Sequence, residues 1–365
     1  MLNVDVRSNR IALRMRCAMS VAALMLATLT GHAAQPAQDA LLLAQAAKAP
    51  AGAATELEVL IAAAKAEGQL TFYSAAPENV NRRISSAYTA RYGVPAQSVR
   101  LNSVPLQQRY ASEAEAGNFA ADLVFIAGSA GPFTDEGIKR GWMESVSGAG
   151  LPVVRSGEFP SRFNRGVTSV VQIAPWLIFY NTERVKGGDI PRDWPDLLDA
   201  KWKGQLLAAD PRGSDASIEF WTMILDRYGE SFFARMRSQS MRVIAGGGPV
   251  VVQALAAGEG SVAVPTIAAT VQGLKDRGGP VEVAMPAFTT GVEMQVALTA
   301  RGKAKHPAAA RLMANYAMSP EGNKVLNDDP GSFSIYDTRG LPADYQAPKP
   351  GAVARKDLII KLFGL

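Results

Sequence analysis

Apolar and polar positions along this chain alternate between two periods. From Thr55, residues Leu57, Leu60, Ile61 and Ala64 recur at helical spacing. Thr55 and Glu58 form a capping-box pattern at the start of that run, and Gly68 ends it. A short apolar strand is predicted over 70–73, then a helix with Val80, Ile84, Ala87 and Tyr88 on one face, closed by Gly93. Strand 99–101, helix 106–116 and strand 123–126 continue the alternation. The rhythm then breaks at 167–180, an extended stretch carrying Pro175-Trp176 with no helix inside it. It resumes with strand 205–209, helix 217–228, strand 242–244, helix 250–257, strand 262–264 and helix 267–275. A second extended piece, 292–298, precedes a helix with Ala309, Leu312, Met313 and Tyr316 on one face. No repeat at solenoid spacing is present.

Compact apolar strands separated by amphipathic helices predict an α/β protein whose sheets are mainly parallel and flanked by helices. Two such units joined by two long extended segments predict two lobes that share hinge strands. Ligands of open α/β sheets bind beyond the carboxyl ends of the strands, so a cleft between the lobes is the expected site. The expected division is 55–175 with 291–325 for the N-terminal lobe and 176–290 with 326–365 for the C-terminal lobe.

The first 34 residues do not belong to that pattern. Arg7, Arg10, Arg14 and Arg16 precede an apolar run over 17–29, which ends in Gly31-His32-Ala33-Ala34. This layout predicts an export signal, with an apolar run too short to anchor in a bilayer. Residues 35–54, rich in Ala, Gln and Pro, read as a flexible leader in which Leu41, Leu42 and Leu43 could form a helical turn. Residues 1–34 hold four arginines and one aspartate, so the formal charge falls from +5 for the whole chain to +2 without them. That balance creates no field for nucleic acid or a membrane surface. Cys17 and His32 leave with the signal, so the exported chain has no cysteine and one imidazole, His306. Thiol chemistry and Cys/His zinc sites are excluded on that count, and no cofactor or metal is expected.

Several stretches are similar to ABC-transporter periplasmic solute-binding proteins of the two-lobed type II class. They are Leu70-Thr-Phe-Tyr-Ser-Ala, Tyr180-Asn-Thr-Glu-Arg-Val, Trp194-Pro-Asp-Leu-Leu-Asp-Ala-Lys-Trp-Lys-Gly-Gln and Ala209-Asp-Pro-Arg-Gly-Ser. To these are added Ala256-Ala-Gly-Glu-Gly-Ser-Val-Ala-Val and the run from His306-Pro to Ser319-Pro-Glu-Gly. Their order and spacing most resemble the branch that binds ferric ion, thiamine, polyamines and phosphonates. The resemblance implies capture of a small solute in the periplasm by a monomer. It also implies delivery to a membrane permease driven by a separate ATPase, with no catalysis.

Five loops are candidate ligand contacts. Ser74 and Ala75 lie between a strand and a helix, where small residues admit a ligand to free N–H groups. A turn capped by Ser74 explains them equally. Ferric members carry a histidine ligand in this loop, as the resemblance implies, and here it has none. Gly128 and Ser129 follow another strand. The stretch superficially resembles a serine-nucleophile elbow but has Ala127 where that pattern needs glycine, and its sole base would be the distant His306. Arg212, Gly213 and Ser214 lead into a helix and could hold an anion, although Ser214 or Asp215 could simply cap that helix. The resemblance implies an anion or polar ligand at this loop. Gly247 and Gly248 form a turn or a close backbone approach. Thr266 precedes Ile267, Ala268 and Ala269, where the resemblance implies paired iron-binding tyrosines in ferric relatives. Tyr73, Tyr110 and Tyr180 are unpaired and read as packing.

Ser103 and Trp176 complete the expected site, Trp176 as an aromatic wall or as core. Trp221 is placed in the same two ways, and Arg109 reads as a cleft residue or a solvated one. The leading expectation is a binding protein for a small polar organic solute, anionic or zwitterionic. Ferric iron or a ferric chelate is the alternative, and a secreted hydrolase a third.

Overall fold

The computed structural model describes residues 51–365 other than Ser129 and Pro350, with side chains from Glu56 onward. The expected signal, the turn at Leu41–Leu43 and the leader up to residue 50 lie outside the described residues. The first half supplies strands β1 (Leu70–Ser74), β2 (Ala96–Arg100), β3 (Leu123–Ala127), β4 (Met143–Glu144) and β5 (Ser169–Pro175). Helices α1 (Ala51–Glu67), α2 (Glu78–Tyr92), α3 (Ser103–Glu115) and α4 (Gly131–Lys139) are interleaved with them. Next come β6 (Leu177–Asn181), β7 (Leu206–Ala209), α5 (Asp215–Ser238), β8 (Arg242–Ile244), α6 (Gly248–Ala256), β9 (Val262–Thr266) and β10 (Val281–Ala284). The last part holds β11 (Phe288–Thr289), β12 (Gly291–Thr299), α7 (Pro307–Met318), α8 (Pro320–Leu326), β13 (Asp344–Tyr345) and α9 (Lys356–Phe363).

The strands sort into two large sheets, one per lobe. The first has the order β2-β1-β3-β12-β4, with β5 also paired to β12. Its β1–β2 and β1–β3 pairs are parallel, and the pairs made by β12 are antiparallel. The second runs β10-β6-β9-β7-β8, with β7 parallel to both β8 and β9 and with β6 antiparallel to its neighbours. Every residue of β3 and of β12 is buried, as expected for strands covered on both faces. Phe72 and Phe125 meet edge to face within the first sheet's core, 5.6 Å apart.

The long stretch expected at 167–180 is two strands in two sheets. It leaves the first sheet after Pro175 and joins the second at Leu177, with Trp176 between them. The return crossover, 285–290, lies beside it. Trp176 N–H donates to the Thr290 carbonyl (2.9 Å) and Thr289 Oγ1 to the Trp176 carbonyl (2.8 Å). A third crossing follows, where Phe333 bridges Ile173 of the first sheet and β13 pairs with β11. The chain then ends on α9, whose Phe363 packs against Trp221 (4.8 Å) and Phe233 (6.0 Å) of the second lobe.

Two sequence expectations differ from these elements. Thr55 lies within α1 and not at its start, because Ala51, Ala53 and Ala54 are strong helix formers that extend the helix upstream. The helix expected over 217–228 does break after Tyr228, at Gly229 (φ 71°, ψ 179°), and a second helical segment carries the element on to Ser238. The helix expected over 267–275 is a 3-10 turn, Ala268–Thr270, and then a single helical turn, Gln272–Lys275. Thr270 Oγ1 donates to the Ile267 carbonyl at 2.6 Å, the local side-chain bond that competes with helix continuation.

Candidate functional site

A cleft with about 710 Å³ of empty space, its mouth included, lies between the two sheets. It sits where the parallel strands end: Ala75 follows β1, Arg100 ends β2, Ala127 ends β3, Ala209 ends β7 and Thr266 ends β9. Three helices begin at the same place. Asn102 precedes α3, Ser214 precedes α5 and Gly247 precedes α6, and no side chain hydrogen-bonds to cap any of the three. Uncapped N-termini leave N–H donors and the positive end of each helix dipole directed at the cleft. Trp176, from the first crossover, and Val292 and Met294, from β12, form an apolar wall.

Of the residues singled out from the sequence, Ala75, Ser103, Trp176, Gly213, Ser214, Gly247, Gly248 and Thr266 line this cleft. Ser74 does not: it is fully buried, and its Oγ accepts from Ala76 N–H (3.1 Å). Gly128 lies behind the wall, with its N–H on the Glu293 carbonyl (3.1 Å) and its carbonyl on Gln295 Nε2 (2.8 Å). Arg212 is half exposed and folds back on Asp210, with Nε–Oδ1 at 3.0 Å and Nη2–Oδ2 at 2.6 Å. That ion pair holds the Asp210 carboxyl below its ordinary range. Ser129 is outside the described residues. Trp221 is core, packed on Phe220 and Phe233. Arg109 pairs with Glu113 and lies over the Tyr73 ring, away from the cleft wall.

The sequence reading missed Arg100, Asn102, Ser217 and Thr270. Arg100 is half-buried, and burial pushes its guanidinium below the ordinary value, against a pull upward from the exposed Glu78 carboxylate. Nothing local marks it, because β2 is an edge strand of mixed polarity (Ala-Gln-Ser-Val-Arg) and its end becomes a wall only after three-dimensional assembly. Two buried polar atoms in lining residues have no protein partner: Trp176 Nε1, in a residue 8% exposed, and Ser217 Oγ, in a residue 4% exposed.

His306 is far from this chemistry. Its Nδ1 lies 2.9 Å from Asp122 Oδ2 and its Nε2 3.3 Å from Gln69 Nε2. Asp122 precedes β3, so the imidazole sits at the end of that strand opposite to the cleft. Among the described residues no group of three or more His, Cys, Asp or Glu side chains could hold a metal ion.

Two α/β lobes, paired crossovers and a cleft at the strands' carboxyl ends define the two-lobed periplasmic binding protein fold. AfuA, a periplasmic binding protein from Actinobacillus pleuropneumoniae solved with fructose-6-phosphate, shares it. Its TM-score is 0.62 at 21% identity over 80% of this chain and 97% of that one. The substrate-binding protein of an ABC transporter from Agrobacterium tumefaciens gives 0.67 at 18% identity, covering 80% and 93%. Iron-bound HitA from Pseudomonas aeruginosa gives 0.59 at 17% identity, covering 81% and 98%. An uncharacterized protein of Haemophilus influenzae is 24% identical over 279 residues, 74% of this chain and 79% of that protein. The profile of the bacterial extracellular solute-binding proteins matches residues 121–352, and the chain belongs to that family.

Proposed function

We propose that the protein is the periplasmic solute-binding component of an ABC import system. It captures a small polar organic solute, anionic or zwitterionic, and presents it to a membrane permease. The observation that carries this reading is the meeting of three uncapped helix N-termini and Arg100 at one cleft between two lobes. The lobes that close are 55–175 with 291–325 and 176–290 with 326–365, and the crossovers at Trp176 and 285–290 absorb the rotation. The export signal read from residues 1–34 supports a periplasmic location, and the closed monomer is the form the permease meets.

The cleft lining supports an organic ligand over Fe³⁺. It carries one carboxylate, Asp210, already engaged by Arg212, and neither tyrosine nor histidine. Hard trivalent iron needs several anionic oxygen donors. The position of His306 likewise supports binding over hydrolysis, since its imidazole lies at the far end of β3 from the cleft. Thermal unfolding of the exported chain against a solute library tests the function. A true ligand raises the unfolding temperature in proportion to ln(1 + [L]/Kd) and reduces the radius of gyration in X-ray scattering, with no product formed. Turnover of the stabilising compound, or stabilisation by Fe³⁺ alone, would overturn this reading.

A further inference from the structure

The unpaired charge of the cleft is of one sign. Arg100 offers only donors, as do the Trp176 indole N–H and the backbone N–H groups at the starts of α3, α5 and α6. The Ser217 hydroxyl, buried and without a protein partner, and the Asn102 amide can each donate or accept. Buried polar atoms without partners are rare, and those in a ligand cleft are explained by a ligand that supplies them. The acceptors that remain are neutral. Asp210, the single lining carboxylate, has both oxygens on Arg212, and the Ser103 hydroxyl, whose proton goes to the Ala127 carbonyl (2.9 Å), keeps only uncharged lone pairs. Thr270 donates to the Ile267 carbonyl (2.6 Å). A ligand ammonium would therefore find no free carboxylate on the wall.

The charge count leads to the same conclusion. Asp210 is ion-paired with Arg212, whereas Arg100 has no carboxylate within ion-pair distance among the described residues and feels the exposed Glu78 only at longer range. The lining also includes the Trp176 ring, Val292, Met294, Pro265 and Ile267, apolar surface that favours a hydrocarbon or aromatic body.

We infer that the cleft selects a singly charged organic anion, a carboxylate on an apolar body, and that Arg100 is the residue that sets this preference. The inference rests on the solute-binding function and narrows its ligand class. A zwitterion lacks its second partner here, and a doubly charged phosphate ester would meet one cation beside the Asp210 carboxylate. Burial of Arg100 strengthens the contact, because a guanidinium that has already lost part of its water gains more from a bidentate oxyanion.

The test uses the exported full-length chain and a library of small organic acids, each paired with its neutral amide and, where it exists, its α-amino derivative. Glycerol 3-phosphate serves as the doubly charged probe and putrescine as the cation. Affinities are measured by titration calorimetry for wild type, Arg100→Gln, Arg100→Lys and the control Arg140→Gln. Arg140 lies on α4's C-terminal end, paired with Glu136, and its removal changes net charge equally. The expected result is a carboxylate bound at least tenfold more tightly than its amide by wild type and by Arg140→Gln. Arg100→Gln should reduce that ratio to threefold or less, with Arg100→Lys in between. Tighter binding of an amide, amino acid, putrescine or glycerol 3-phosphate by wild type would overturn the inference while leaving solute binding intact. So would an undiminished preference in Arg100→Gln or, if that variant does not fold, in Arg100→Lys. Failure of every compound to bind would overturn the solute-binding function with it.

Discussion

Glu293 is a carboxylate placed where water is scarce. It sits on the central strand β12, buried, with Arg165 Nη2 3.3 Å from its Oε2 and the Tyr345 phenol nearby. Burial raises its pKa, and Arg165 only partly offsets the shift. A raised native pKa means that the folded chain holds the proton more tightly than the unfolded one. The stabilising contribution is therefore complete below the ordinary glutamate value near 4.5 and is lost as pH rises through the native value. Urea unfolding of wild type and Glu293→Gln at pH 4, 6 and 8 should show wild type losing ground to the variant as pH rises. A constant difference, or the opposite trend, would contradict this. At the same scale, part of the site was readable from the sequence because Gly and Ser mark turns directly, and Gly213, Ser214, Gly247 and Gly248, chosen that way, line the cleft. Arg100 and Asn102 were not readable. Each is an ordinary polar residue at the end of an element, and only the convergence of two sheets gives it a neighbour across a gap. Arg212 misled for the opposite reason: beside a Gly-Ser turn it looks poised for an anion, yet Asp210 two residues earlier is the closer partner.

Among the elements, the alternation of periods located most strands and helices, because buried strands and one-sided helices are local patterns. Sheet order was not local. That β12 would enter between β3 and β4, some 160 residues distant in sequence from both, is set by which edge the returning crossover meets. The C-terminal helix is a further case. α9 is short, and what holds it is the aromatic contact of Phe363 with Trp221 and Phe233, together with an Arg237 hydrogen bond to the Leu362 carbonyl. Phe363→Ala removes most of that contact. It should lower the unfolding free energy by about 3–5 kcal/mol, the usual range for a buried aromatic truncation, as read from the urea midpoint at unchanged slope. A loss below about 1 kcal/mol would mean that α9 contributes little to the second lobe.

At the scale of the whole molecule, the lobes touch across the cleft. Gln107 of α3 donates to Asp215 at the start of α5 (3.2 Å), and Asn102 lies against Gly247. Another close approach is at Gly128, where an added Cβ would stand 2.6 Å from the backbone N of Ala216. Gly128 also has φ +83°, a conformation that costs other residues roughly 1–2 kcal/mol. Gly128→Ala should destabilise the protein by about that amount and hold the lobes apart. The checks are a larger radius of gyration in scattering and a weaker affinity for whichever solute wild type binds. Unchanged values for both would mean that the lobes do not close on this contact.

The indole at position 176 gives the molecule a gauge of its own state. Of five tryptophans, Trp142, Trp194, Trp202 and Trp221 stand away from the cleft lining, and only Trp176 belongs both to the wall and to the crossover between the sheets. Emission from that ring responds to a guest against its face and to rotation of the strands it joins. Filling and closing can thus be followed by intrinsic fluorescence in the unlabelled protein, with Trp176→Phe as the silent reference.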